Sequence, residues 1–162
     1  MKAATPALVF LDRVGVHYLT HSFDHELSTV RDGLGYGKFA ADALGLDEGR
    51  VFKTLVMTGD TGPVVGIVPV NKLVSMKFMA KAVGSKRCEM LNGDDVARIT
   101  GYVIGGVSPF GQKRLLPTVI DESALLFDTI FVSGGQRGLE VEIEPSRLIS
   151  LLGATVAQVA TL

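Results

Sequence analysis

The apolar positions recur at two spacings along the chain, dividing it into short helices and strands. Thr5 and Pro6 form an N-cap and first-turn pair, and Ala7, Phe10, Leu11 and Val14 follow at i, i+3, i+4 and i+7, which predicts an opening helix. Val16 to Phe23 is rich in β-branched and aromatic residues and reads as a strand. Asp24 to Gly37 is polar and turn-rich, and a short helix is expected from about Lys38 to Leu44, with Gly45 terminating it.

The run VFKTLVMTGDTGPVVGIVPV predicts two strands joined by a turn at Gly59, Asp60, Thr61 and Gly62. Asn71 is the expected cap of a helix whose apolar side carries Leu73, Met76, Ala80 and Val83, ended by Gly84. Another short helix should begin after Asn92-Gly93-Asp94-Asp95 and stop at Gly101. Strands are expected near Tyr102 to Ile104, Pro117 to Ile120, Thr129 to Val132 and Leu139 to Ile143. A helix started by Pro145 and ended by Gly153 follows, then a final strand within Ala154 to Val159. The order is mixed rather than strictly alternating, which favours an α/β fold: a mixed sheet or partly closed barrel with flanking helices. No repeat, low-complexity stretch or linker divides the chain, so residues 1–162 are expected to form a single domain.

Composition narrows the class. With 162 residues, 47% of them hydrophobic, and a mean hydropathy of +0.34, the chain can build a sizeable core and is not of the disordered kind. Sixteen basic against seventeen acidic residues leave a formal charge of −1, so any polyanion must be met locally. The lone Cys88 cannot form an internal disulfide, which suits a reducing cytoplasm. Pro6, Asp12 and Arg13 interrupt the N-terminal apolar stretch too early for a signal peptide, and nothing approaches the roughly 20 apolar residues of a membrane helix. The expectation is a soluble, cytoplasmic protein without a membrane partner.

Candidate chemistry starts from two glycine loops. GYVIGGVSPFGQKR, residues 101–114, lacks both the GxxxxGK[ST] and the GxGxxG spacing, so neither nucleotide fingerprint applies; tight turns around a strand end would account for it locally. VSGGQRG, residues 132–138, could be a hairpin turn, but Ser133 and Arg137 flank Gly134 and Gly135 with a hydroxyl and a five-donor guanidinium suited to a sugar or phosphate. Lys53 sits among apolar strand residues and by alternation shares a face with Val51 and Leu55. It is either a snorkelling edge lysine or a cation at the floor of a cleft.

Other signals are weaker. His17, His21 and His25 share a four-residue spacing, but on a strand i and i+4 lie about 13 Å apart, too far for one ion. Cys88 lies beside Lys86 and Arg87, which could activate a thiol, yet a structural cysteine is the simpler reading. Lys72, Lys77, Lys81, Lys86, Arg87, Lys113 and Arg114 concentrate positive charge, either as a solvated face or as a track for a polynucleotide backbone.

Taken together and in order, TPALVFLDRVGV, FKTLV, KAVGSKRCEM, TGYVIGGVSPFGQKR and VSGGQRGLEVEI resemble the YbaK/EbsC family of aminoacyl-tRNA deacylases, relatives of the editing domain of bacterial prolyl-tRNA synthetases. The resemblance covers nearly the whole chain. It implies a mixed α/β, barrel-like domain with no metal and no cofactor, which clears cysteine from mischarged tRNA(Pro) in trans, in association with prolyl-tRNA synthetase. It also implies a substrate-assisted reaction, in which the substrate thiol attacks its own ester and leaves as a thiolactone. On that resemblance Lys53, Gly105 and Ser133 are the expected catalytic positions, and Gly106, Ser108, Pro109, Gly134, Gly135, Arg137 and Glu140 the expected substrate-binding ones. Phe23 stands where members often have tyrosine, so only its ring carries over, and Tyr36 is expected to wall the pocket. Rival readings are a non-catalytic tRNA- or synthetase-binding module, an editing deacylase of alanine or serine specificity, and a thiol redox enzyme built on Cys88. Oligomeric state stays open.

Overall fold

The structure is a computed structural model that describes residues 4–24 and 36–162. His25 and most of the turn-rich stretch after Asp24 lie outside the described residues. Helix α1 spans Pro6–Val14: Thr5 Oγ1 accepts the Leu8 N–H at 3.2 Å, Pro6 needs no partner for a missing N–H, and Gly15 closes the helix in the left-handed region at φ 73°. It buries Ala7, Leu8 and Leu11. Strand β1 is Leu19–Ser22, shorter than expected, and α2 is Tyr36–Leu44. Strands β2 (Phe52–Gly59) and β3 (Gly62–Pro69) form the predicted hairpin in register from Phe52 opposite Pro69 to Gly59 opposite Gly62.

Asn71 does not cap the next helix. The chain stays extended through β4 (Leu73–Val74), so α3 (Met76–Val83) starts after Ser75, whose Oγ accepts the Phe78 N–H at 3.1 Å. Strand β5 is only Glu89–Met90, and α4 (Gly93–Thr100) is capped by Asn92 as expected. Tyr102 to Ile104 is not a strand. Gly101 and Gly105 take φ 87° and 93°, the Gly106 N–H turns back to the Val103 carbonyl at 2.9 Å, and the Tyr102 hydroxyl donates to the Phe110 carbonyl at 2.6 Å. The segment therefore folds on itself rather than joining a ladder.

Strands β6 (Thr118–Asp121), β7 (Ile130–Ser133) and β8 (Leu139–Ile143) and helix α5 (Pro145–Leu152) match the apolar pattern. The expected final strand is β9 (Thr155–Ala157), and a further short strand, β10 (Ala160–Thr161), follows it. Asp121 Oδ1 accepts the N–H groups of Val159 and Ala160, each at 3.0 Å, and so turns the chain between two sheets.

The fold is α/β with a five-stranded mixed sheet ordered β5-β2-β3-β6-β9, in which β3, β6 and β9 run parallel, and an antiparallel sheet ordered β1-β8-β7. Strand β10 pairs with β4. The two larger sheets meet where Val51 pairs with Phe131, which gives the partly closed, barrel-like arrangement. Phe52, Val56, Ile67, Phe110, Ile120, Ile130, Val141 and Leu148 lie in the main core, and α3 covers a second cluster around Met57, Val68, Met79 and Val119. Among the described residues no helix is long and apolar enough to cross a membrane.

Candidate active site

Strand β2 creates the site by leaving part of one edge open. It pairs with β3 along its length, but on the other side it meets β5 only at Met57 and Thr58, while Val51 just before it is bridged to Phe131. Between those two attachments the edge has no strand partner among the described residues, the Leu91 N–H just after β5 reaching only the Val56 carbonyl at 3.3 Å. Residues 52 to 56 there border a cavity of about 250 Å³. Its other walls are the first turns of α2 (Tyr36, Lys38, Ala40), the loop after α4 (Ile104, Gly105, Val107), Ser133 at the end of β7 and Glu140 near the start of β8. The lining is largely apolar with a few converging polar groups, the usual make-up of a small-molecule site.

Lys53 is half-buried in this wall and forms no ion pair with any described residue. Burial holds its ammonium below the usual lysine range, and the nearby Lys38 ammonium pushes in the same direction. Glu140 is 5% exposed, and burial pushes its carboxyl up to about 8, so the only acid in the lining among the described residues is mainly uncharged at neutral pH. Tyr36 is pushed up to about 12, chiefly by burial. Its hydroxyl and that of Thr54 are buried without a hydrogen-bond partner among the described residues; the Gly138 backbone approaches Tyr36 without hydrogen-bond geometry. Unpaired buried polar atoms are costly, and here they border the cavity.

The two glycine loops form the far wall by packing on each other. Arg137 donates from its terminal nitrogen to the Ile104 carbonyl at 3.1 Å and lies over the Tyr36 ring at 5.6 Å. A Cβ on Gly105, already at φ 93°, would come within 2.7 Å of Arg137 Nε, and one on Gly106 within 3.0 Å of the Gln136 Cα. Gly134 would meet Leu139, and Gly135, at φ 101°, would meet Tyr102 at 2.9 Å. Thr5 Oγ1 donates to the Gly134 carbonyl at 2.6 Å, tying α1 to the same loop.

The expected site residues therefore fall into two groups. Lys53, Gly105, Ser133, Tyr36 and Glu140 border the cavity. Gly106, Ser108, Pro109, Gly134, Gly135 and Arg137 stand behind that wall: Ser108 is fully buried, with its Oγ accepting the Phe110 N–H at 3.2 Å, and Pro109 is buried beside it. Phe23 donates its N–H to the Gly138 carbonyl at 3.0 Å and packs its ring on Tyr36 and Phe39, both at 5.9 Å, so it backs Tyr36 rather than facing the cavity. The Ser133 hydroxyl accepts the Gly135 N–H at 3.1 Å.

Sequence reasoning missed Lys38 and Thr54. Lys38 carried a signal, a cation in a first helical turn without an acid. Thr54 carried none, because only the open edge brings consecutive residues of one strand to one cavity.

Cys88 is buried beyond this site in the cluster beneath α3, and burial raises its thiol, with the Asp60 carboxylate adding to the rise. Lys86 and Arg87 are both exposed, and the thiol is not activated by them. His21 Nε2 lies 2.8 Å from Glu142 Oε1, and among the described residues no group of three or more His, Cys, Asp or Glu side chains could hold a metal ion. None of the seven basic residues noted in the sequence borders the cavity; most are exposed, and the Lys113 ammonium donates to the Arg98 carbonyl at 2.9 Å.

Comparison with known proteins places this geometry in context. Residues 38–151 match the aminoacyl-tRNA editing domain family. EbsC of Enterococcus faecalis, provisionally named a Cys-tRNA(Pro)/Cys-tRNA(Cys) deacylase, is 40% identical over 139 residues, covering 85% of this chain and 84% of its own. A proline–tRNA ligase of Maridesulfovibrio salexigens is 27% identical over 95 residues, 59% of this chain but 16% of the ligase. A crystal structure described as a candidate trans-editing enzyme for prolyl-tRNA synthetase superposes with a TM-score of 0.85 at 25% identity, covering 100% of both chains.

Proposed function

This chain belongs to the aminoacyl-tRNA editing domain family, and from that premise we propose that it is a trans-editing deacylase that removes cysteine from mischarged Cys-tRNA(Pro). The observation that carries the reading is the cavity along the open edge of β2, where a half-buried Lys53 without an ion-pair partner among the described residues faces a largely apolar space whose described wall holds no activated protein nucleophile. Cys88 lies elsewhere with a raised thiol, and the Ser133 hydroxyl has no general base hydrogen-bonded to it. Such a site suits a substrate that brings its own nucleophile.

In the proposed reaction the cysteinyl thiol attacks the ester carbonyl carbon. A C–S bond forms and the C–O bond to the terminal ribose breaks. The thiol proton ends on the ribose oxygen, and the amino acid leaves as a cyclic thiolactone. Holding thiol and carbonyl together in a confined, largely apolar cavity supplies much of the acceleration. The Lys53 cation stabilises negative charge developing on the carbonyl oxygen, and the neutral Glu140 carboxyl can donate a hydrogen bond there without adding repulsion. The 27% identity to a proline–tRNA ligase supports action beside prolyl-tRNA synthetase, in the cytoplasm where that enzyme charges tRNA.

The test is turnover of Cys-, Ala-, Ser- and Pro-tRNA(Pro). Cys-tRNA(Pro) should be cleared fastest, and Lys53→Ala should reduce that rate by about 10²-fold or more, as expected when a charge-stabilising group is removed. Equal turnover of all four substrates, or stoichiometric protection of the tRNA without turnover, would count against the proposal.

A further inference from the structure

Lys38 is placed against the local preferences of its own helix. The first described turn of helix α2 carries no acidic residue, and Lys38 puts a cation near the N-terminal end of the described helix, where the aligned peptide dipoles favour negative charge. The exposed Lys38 nevertheless borders the cavity, close enough to Lys53 for the two ammonium groups to repel. Neither lysine forms an ion pair with a described residue. Glu140, the one carboxyl in the lining among the described residues, is buried and mainly uncharged. Two cations without an ion-pair partner among the described residues thus share one cavity mouth, and unfavourable placements of this kind concentrate at functional sites.

The distribution of polarity says where an anion would sit. The interior of the cavity is bordered by Phe52, Val56, Val96 and Val107, which offer an anion nothing. Lys53 is half-buried in the wall, and Lys38 stands at the solvent side. We infer that Lys38 is a positioning residue that binds the phosphodiester on the 5′ side of the terminal nucleoside, leaving Lys53 free to face the acylated ribose. This inference rests on the deacylase reading for the identity of the polymer, but the phosphate contact itself can be tested without turnover.

The experiment is an NMR titration of 5′-AMP and of adenosine into the wild-type chain, Lys38→Ala and Lys38→Arg, each checked by thermal melting. The wild type should bind 5′-AMP several-fold more tightly than adenosine. Lys38→Ala should abolish that preference while leaving adenosine affinity unchanged, and Lys38→Arg should restore it. With acylated tRNA, Lys38→Ala should raise KM several-fold at unchanged kcat and flatten the dependence of log(kcat/KM) on log[salt] by roughly 0.7, the value for one single-strand phosphate contact. A wild type without preference for 5′-AMP, or a Lys38→Ala variant that keeps it, would overturn the inference. If no aminoacyl-tRNA is turned over while the nucleotide result holds, the deacylase reading fails and the phosphate site stands.

Discussion

Thr54, Tyr36 and Glu140 illustrate how much of the site is polar chemistry held in an apolar wall. The Thr54 hydroxyl is buried without a partner among the described residues, so replacing it by an isosteric apolar group removes an unsatisfied donor. Thr54→Val should therefore leave the melting temperature of the free protein unchanged or raise it, while raising KM for an acylated tRNA; a clear loss of stability would mean the hydroxyl is satisfied in solution. Glu140 makes a different prediction. Its folded carboxyl titrates at about 8 against an ordinary 4.5, so between those values the folded chain keeps a proton that the unfolded chain has released. Stability should fall as pH rises through that window, by up to about 1.4 kcal/mol per pH unit for one proton, and level off above it. Denaturant titration from pH 5 to 9 should show the slope in the wild type and its absence in Glu140→Gln. From the sequence Lys53 was legible because a lysine in an apolar strand is anomalous, whereas the titration of Glu140 depends on burial that no local pattern reveals.

Secondary-structure elements set by local rules were legible, and those set by distant partners were not. Thr5 and Pro6, Asn92, and the Gly84, Gly101 and Gly153 terminators act within one turn, and the structure follows them. The Asn71 cap failed because β4 must reach β10, far along the chain, before α3 can start. The expected final strand ends early, at Ala157, and the unexpected β10 follows, because Asp121 captures the N–H groups of Val159 and Ala160 between the two. Burial raises the Asp121 carboxyl, but the Ser123 hydroxyl and the N–H groups of Val159, Ala160 and Ser123 outweigh it and hold it below its usual range. Asp121→Ala should cost on the order of 2–3 kcal/mol, the scale of losing hydrogen bonds to a charged group, and should increase hydrogen exchange at Val159 and Ala160. The glycine loops were legible as loops, but not as partners. Missing side chains at Gly106, Gly134 and Gly135 let protein approach protein, while at Gly105 the space is taken by Arg137. Gly135→Ala should destabilise by about 1–3 kcal/mol, since it combines a positive φ with a 2.9 Å contact to Tyr102, and a melt at unchanged temperature would show that the loop relaxes freely.

At the scale of the whole molecule, the site exists because two sheets join imperfectly. Val51 and Phe131 bind the sheets at one point, β5 resumes the pairing at Met57, and the stretch between them is the open edge that borders the cavity. A periodicity argument places each strand but cannot say which edge is left unpaired, so the pocket was legible only through resemblance. The central claim is that this cavity supplies confinement and charge while the substrate supplies the nucleophile. The most direct measurement compares cleavage of Cys-tRNA(Pro) with that of S-methylcysteinyl-tRNA(Pro), using the wild-type chain and Cys88→Ala. The account predicts that both proteins clear Cys-tRNA(Pro) at similar rates and that both leave the S-methylated substrate intact. Comparable cleavage of the S-methylated ester, or loss of activity in a folded Cys88→Ala variant, would contradict it.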